Sequence, residues 1–199
     1  MKKLLVILDN GHGKDTPGKC SPDRSLYEWQ WTREITSGIY DALFREGIEC
    51  HLLVIGDSDL PLPERVMREQ VLTEQAKKAG METCLISVHI NAAGRDVKWK
   101  SARGFSCWIA QSASPKSKQL AQLLYAEAEA RGLKGNRSVP PEKYWVAPFY
   151  ITTHSSCPAV LTENLFQDNK EDVAFLLSED GKRAIIDLHV QAIKKYIAL

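Results

Sequence analysis

The sequence predicts an α/β fold: a single three-layer domain with a twisted, mostly parallel sheet and helices on both faces. Three observations predict it. Apolar runs of strand length alternate with helix-length segments from one end of the chain to the other. The 199 residues suit one domain, large enough to bury a core without disulfides or metals. Internal repeats, low-complexity runs and linkers are absent, so residues 1–199 read as one unit.

The elements follow in order. Lys3–Leu8 is short, apolar and β-branched, and runs into the turn residues Asp9-Asn10-Gly11, as a buried strand does. Leu26–Arg45 reads as a helix with Trp31, Ile35, Ile39 and Ala42 on one stripe and Gly47 as its stop. Glu49–Ile55 is a second strand. Pro63–Lys78 is a helix with proline in its first turn and Gly80 beyond its end. Thr83–His89 and Gly104–Ile109 are the third and fourth strands. Ser117–Arg131 is a helix closed by Gly132, and Ala159–Glu163 is the fifth strand. Helices over Lys170–Leu177 and Lys182–Ile197 finish the chain. Lys14–Ser25, Gly94–Arg103 and Lys134–His154 read as loops.

Composition removes several function classes. The chain is 44% hydrophobic and 26% charged, with a formal net charge of +1. There is no basic surplus to neutralise phosphates, so nucleic acid is not an expected partner. Leu4–Leu8 is the longest apolar run near the N-terminus, too short for a signal-peptide core or a membrane span. The expectation is a protein made in the cytoplasm with no membrane insertion. Cys20, Cys50, Cys84, Cys107 and Cys157 are odd in number and lack a C-x-x-C spacing, and read as reduced thiols.

The candidate chemistry gathers at strand ends, where open α/β sheets place their ligands. The first strand runs into Gly11-His12-Gly13. The third ends on His89 with Asn91 beyond it, and the fifth on Glu163. Glu28 lies three residues before Trp31 and seven before Ile35, so it shares the apolar stripe of the first helix. A carboxylate facing a core is costly unless a cation or donors meet it. His12, Glu28 and His89 make a His2Glu set, a common catalytic zinc arrangement. Glu163 is left as a carboxylate free to move protons. Glycines flanking His12 allow a tight turn and a close approach of the imidazole. His51 and His189 read as structural. His154, in a loop ahead of the fifth strand, is either a substrate contact or a solvated side chain.

Rival motifs fall short. Thr16 stands where a dinucleotide fingerprint needs its third glycine, and Lys14-Asp15 breaks a phosphate-binding loop. No G-x-S-x-G elbow occurs. Cys157 with His154 is a weak nucleophile pair. Trp99, Tyr144 and Trp145 fall in loops, where aromatics either stack on sugars or cover the core edge.

In their order along the chain, these residues resemble the zinc-dependent N-acetylmuramoyl-L-alanine amidases of the type-3 amidase family. The family's D-x-G-H-G opening is matched by Asp9-Asn10-Gly11-His12-Gly13 and its first-helix glutamate by Glu28. Its S-x-H-x-N is matched by Ser87-Val88-His89-Ile90-Asn91, and its P-x-x-L-x-E by Pro158-Ala159-Val160-Leu161-Thr162-Glu163, with Phe166 and Asn169 following. Pro63-Glu64-Arg65 resembles its L-x-E-R element and Gly104-Phe105 its G-F strand start. The resemblance runs from about Leu4 to Ile197.

The resemblance implies Zn2+ held by His12, Glu28 and His89, Glu163 as catalytic acid/base, and a mixed, mostly parallel sheet. It implies hydrolysis of the amide between N-acetylmuramic acid and L-alanine in peptidoglycan. Asn91, Arg65 and His154 are the candidate substrate-binding residues. With no export segment expected, the reading is a phage or prophage lysis enzyme that reaches the wall after release, filling the chain without a separate wall-binding domain. Other readings are a carboxypeptidase-like zinc amide hydrolase or a non-catalytic α/β ligand-binding domain. Asn10 stands where the family usually has proline, Trp29 where it usually has a basic residue, and Lys134–His154 matches it poorly. That last stretch is where substrate selectivity is expected.

Overall fold

The computed structural model describes residues 3–199. Six strands form one sheet: β1 (Leu4–Asn10), β2 (Glu49–Leu52), β3 (Glu82–Asn91), β4 (Ser106–Ile109), β5 (Trp145–Val146) and β6 (Ala159–Phe166). Six helices accompany them: α1 (Glu28–Arg45), α2 (Leu62–Lys78), α3 (Pro115–Ala130), α4 (Tyr150–His154), α5 (Lys170–Leu177) and α6 (Glu179–Ile197). The strand order is β2-β1-β3-β6-β4-β5. Pairs β1–β2, β1–β3 and β3–β6 are parallel, β4 is antiparallel to β6, and β5 is parallel to β4. The sheet is therefore mixed and mostly parallel.

Period-two alternation sorts the sheet's side chains into two layers. Leu4, Val6 and Leu8 of β1, with Cys84, Ile86 and Val88 of β3, pack beneath α1, α3, α5 and α6. Ile7, Leu85 and Leu161 face the other way, against Val66 of α2 and Ile151 of α4. The α1 stripe is Trp31, Ile35, Ile39 and Leu43, all buried. Leu43 takes the place that periodicity gives Ala42, which is only half-buried. Removing each isoleucine from water contributes about 1.5–3 kcal/mol. Beyond α1, Gly47 takes a φ of 70°, a left-handed conformation that costs glycine least and turns the chain towards β2.

Several boundaries differ from those read in the sequence. The first helix begins at Glu28 and not Leu26, because Ser21 and Leu26 close a local loop through their backbones. The second strand stops at Leu52 and not Ile55. The third extends past His89 to Asn91, and the fifth predicted strand, here β6, past Glu163 to Phe166. Glu163 is thus within a strand and not at its end. The stretch Lys134–His154 is not all loop, since it holds β5 and α4. Both are too short for periodicity to betray them. All five cysteines are free thiols. Among the described residues no helix is long and apolar enough to cross a membrane.

Candidate metal centre

Three elements converge on one edge of the sheet. The turn after β1 brings His12, the first residue of α1 brings Glu28, and the end of β3 brings His89. Their ligand atoms all lie within 4.8 Å of one another. Glu28 Oε1 is 3.1 Å from His89 Nδ1 and accepts the Ile90 amide at 2.9 Å. Glu28 Oε2 is 3.6 Å from His12 Nε2 and is buried without a hydrogen-bond partner. The imidazoles meet edge to face with centroids 5.0 Å apart. Glu28 is 1% exposed, so its carboxylate faces the core side as its place on the stripe predicts.

The turn that carries His12 is held from beneath. His12 itself adopts a φ of 59°, while its flanking glycines do not have positive φ. Such a conformation costs a non-glycine residue about 1–2 kcal/mol. Surrounding bonds secure it. Arg33 Nη1 donates to the His12 carbonyl at 3.0 Å, and Thr32 Oγ1 to the Gly11 carbonyl at 3.1 Å. Gly11 is required for closeness: a Cβ there would stand 2.5 Å from the His89 ring. The glycines thus serve close approach, and the left-handed residue is the histidine between them.

Arg65 lies below this turn and is 2% exposed. Nη1 donates to Asp9 Oδ1 at 2.5 Å and to the Asn10 carbonyl at 2.7 Å, and Nη2 donates to Asp59 at 2.9 Å. Asp9 Oδ2 accepts from Ser87 at 2.5 Å, which ties β1 to β3. Arg65 clamps the turn from behind.

Glu163 sits beside His89 in the β3–β6 ladder and beside Ser106 in the β6–β4 ladder. Its Oε2 is buried without a hydrogen-bond partner. The ladder shifts register between His89 and Asn91, where Leu165 has a φ of 64°. Asn164 Nδ2 donates to the His89 carbonyl at 2.9 Å and steadies this irregularity. Asn91 is half-buried at the bulge, its Oδ1 accepting the Ala92 amide. His154 ends α4, its ring stacked on Tyr150 with centroids 4.0 Å apart.

The environment sets the protonation states apart. Burial pulls His12 down to about 4, against the pull of Glu28. Burial also opposes charge on His89, but its hydrogen bond to Glu28 and the charges of Glu28 and Glu163 raise it. Burial works against the Glu28 carboxylate as well, yet its contact with His89 and the nearby His12 and Lys19 hold it below the usual range. Burial pushes Glu163 up to about 7, with His89 opposing and Glu28 adding to the rise. The sequence reading missed Lys19 and Arg137, whose charges act on Glu163. Both come from irregular loops, where no period marks a residue as facing a site.

Two imidazoles and a buried carboxylate with an unsatisfied oxygen could hold a metal ion. The comparisons agree with this geometry. A family model described as N-acetylmuramoyl-L-alanine amidase matches residues 6–195. The chain is 26% identical over 195 residues to an endolysin of Bacillus phage SPP1, covering 98% of this chain and 66% of that protein. Among solved structures, an N-acetylmuramoyl-L-alanine amidase from Clostridium difficile 630 superposes with a TM-score of 0.82 at 20% identity, covering 100% of this chain and 98% of that one. The catalytic domain of CwlV from Bacillus (Paenibacillus) polymyxa var. colistinus gives 0.78 at 24% identity, covering 100% and 99%. With the match running almost from end to end and a His-Glu-His group at the sheet edge, the chain belongs to the N-acetylmuramoyl-L-alanine amidase family.

Proposed function

We infer that this chain hydrolyses the amide joining N-acetylmuramic acid to L-alanine in peptidoglycan, with zinc held by His12, Glu28 and His89 and with Glu163 as general acid and base. The observation that carries the reading is Glu28. A carboxylate 1% exposed, held ionised between two imidazoles and with one oxygen lacking any hydrogen-bond partner, is placed to meet a cation. The donor set is one that suits zinc and leaves a position open. When bound, zinc supplies a Lewis acid for the amide carbonyl and makes water acidic enough to attack near neutral pH.

The protein's own groups do the rest. Glu163 lies next to His89 on the neighbouring strand, within the same row of side chains. A carboxyl group raised to about 7 exchanges protons readily at neutral pH. It takes the proton of the attacking water and passes it to the leaving alanine nitrogen. A cation held by His12, Glu28 and His89 would lower the pKa of Glu163 and so favour the carboxylate that the first transfer needs. Burial keeps His12 unprotonated and so ready to ligate. Asn91, at the bulge beyond His89, contacts substrate, and Arg65 acts through the His12 turn from its buried place below it. Similarity to a phage endolysin, of which the chain spans about two thirds, supports a role in wall degradation during lysis.

The test is digestion of purified sacculi by the zinc-loaded protein. The expected products carry new α-amino groups on alanine and no new reducing sugar ends. New reducing ends without new amino groups, or no release at all, overturn the reading.

A further inference from the structure

Arg137 lies between α3 and β5, in the stretch that matches the family pattern poorly, yet its side chain is held by one hydrogen bond and three aromatic rings. Its Nη1 donates to Ser106 Oγ at 2.7 Å. Its guanidinium carbon is 4.9 Å from the Trp145 ring, 5.5 Å from Phe166 and 5.7 Å from Trp108. Ser106 is fixed in turn, accepting from Trp108 Nε1 at 3.0 Å. Ser106 is also the ladder partner of Glu163, and directly opposed residues in an antiparallel pair share a face. The row His89, Glu163, Ser106 thus leads across three strands to Arg137.

This guanidinium is half-buried. Among the described residues no carboxylate forms an ion pair with it, and Nε and Nη2 make no hydrogen bond. Glu163 does not pair with it, which leaves that carboxyl group free for proton transfer. Three rings and a serine hold the arginine's planar fork in place, so little entropy remains to be lost when an anion arrives. A bidentate acceptor such as a carboxylate suits the remaining donors.

The amidase reading, on which this inference rests, says which carboxylate arrives. The carboxyl group of L-alanine is consumed in the next peptide bond. The first free carboxylate beyond the scissile amide is therefore the α-carboxylate of the second stem residue, a glutamate linked through its γ-carboxyl. We propose that Arg137, braced by Ser106, Trp108 and Trp145, binds that α-carboxylate and makes the enzyme select stem peptides in which it is free over those in which it is amidated.

The experiment compares the zinc-loaded wild type, Arg137→Met and Arg137→Lys on two muramyl tripeptides, one with glutamate and one with isoglutamine as the second residue. Zinc content and melting temperature are checked for each variant. For Arg137→Met the KM on the glutamate substrate is expected to rise about tenfold or more relative to the KM on the isoglutamine substrate, while any change in kcat, which the lost charge beside Glu163 can cause, is common to both substrates. Arg137→Lys, which keeps the charge and loses the fork, falls between. Equal losses on both substrates, or no loss on either, overturn the proposal. A wild type that cleaves neither substrate overturns the amidase reading itself, and the proposal with it.

Discussion

Glu28, buried, and Glu163, half-buried with one carboxyl oxygen out of reach of solvent, are two carboxyl groups that the structure treats oppositely. Glu28 opens α1 between two imidazoles, which offset the cost of burial and keep it ionised. Glu163 has His89 beside it, which opposes the rise, but desolvation outweighs it. On the proposed mechanism, these opposite environments suit Glu28 to holding charge and Glu163 to moving protons. Glu163→Gln is expected to keep near-stoichiometric zinc and lose roughly 10²–10⁴-fold in turnover, the span of general acid–base catalysis. Retained activity with bound zinc would sink the assignment. At Gly11 a single methyl group is expected to matter. Gly11→Ala pushes against the His89 ring, so metal affinity should fall and stability should drop by about 1–3 kcal/mol. Zinc titration followed by urea unfolding measures both. The grouping of His12, Glu28 and His89 was legible because they fall at a turn after a strand, on a helical stripe and near the end of a strand, whereas Glu163 lies within β6 and not at the strand end that the sequence suggests. The left-handed His12 was not, because nothing in Gly-His-Gly tells which of the three turns.

Among the elements, β1, α2 and β6 carry the supports of the site. Arg65 reaches from α2 to Asp9 of β1, with both side chains about 2% exposed. Arg65→Met leaves Asp9 as a buried charge with only Ser87 to meet it, at a cost of about 3–5 kcal/mol. Arg68→Ala, which removes an exposed i, i+4 pair with Glu64, should cost under about 0.5 kcal/mol. Urea midpoints of the two variants test the contrast. On α6, His189 is fully buried. Its Nδ1 donates to the Ile185 carbonyl at 2.8 Å, and its Nε2 accepts from Thr162 of β6 at 3.1 Å. Burial lowers it to about 4 from its ordinary 6.5. Between those values the unfolded chain binds a proton that the folded chain refuses. Stability is therefore full above about 6.5 and falls as pH drops towards about 4, by up to roughly 3 kcal/mol. Urea midpoints of the metal-free protein at pH 7 and pH 5 check this, and His189→Gln should flatten the slope. A slope unchanged by that substitution would refute the link to His189.

For the molecule as a whole, the two-sided core and the edge site are coupled through the metal group. His12, Glu28 and His89 come from a turn, a helix and a strand that meet only in the folded state. An ion bound there stabilises the native state by mass action, by about 2.7 kcal/mol at a hundredfold excess over Kd. Chelation should lower the melting temperature and zinc should restore it. A melting curve indifferent to both would argue against the centre. The sandwich of a sheet between two helical layers was legible from alternation alone, because buried parallel strands need near-continuous apolar runs and helices need stripes. The reversal of β4 against β6 was not, since four residues of strand look alike in either direction.

By itself the sequence determined the order of the longer elements, the apolar faces and the His12, Glu28 and His89 group that could hold a metal, because each is a matter of local period and residue type. Only the tertiary structure decided that Arg65 is a clamp beneath the His12 turn and that Glu163 lies within a strand, between His89 and Ser106. It also decided that a loop arginine far along the chain sits against Ser106 and Trp145, next to the row that holds Glu163. Those facts depend on strand order and register, which set who is next to whom across the sheet. Spacing along one chain cannot encode a neighbour brought in from 31 residues away, as Ser106 and Arg137 are.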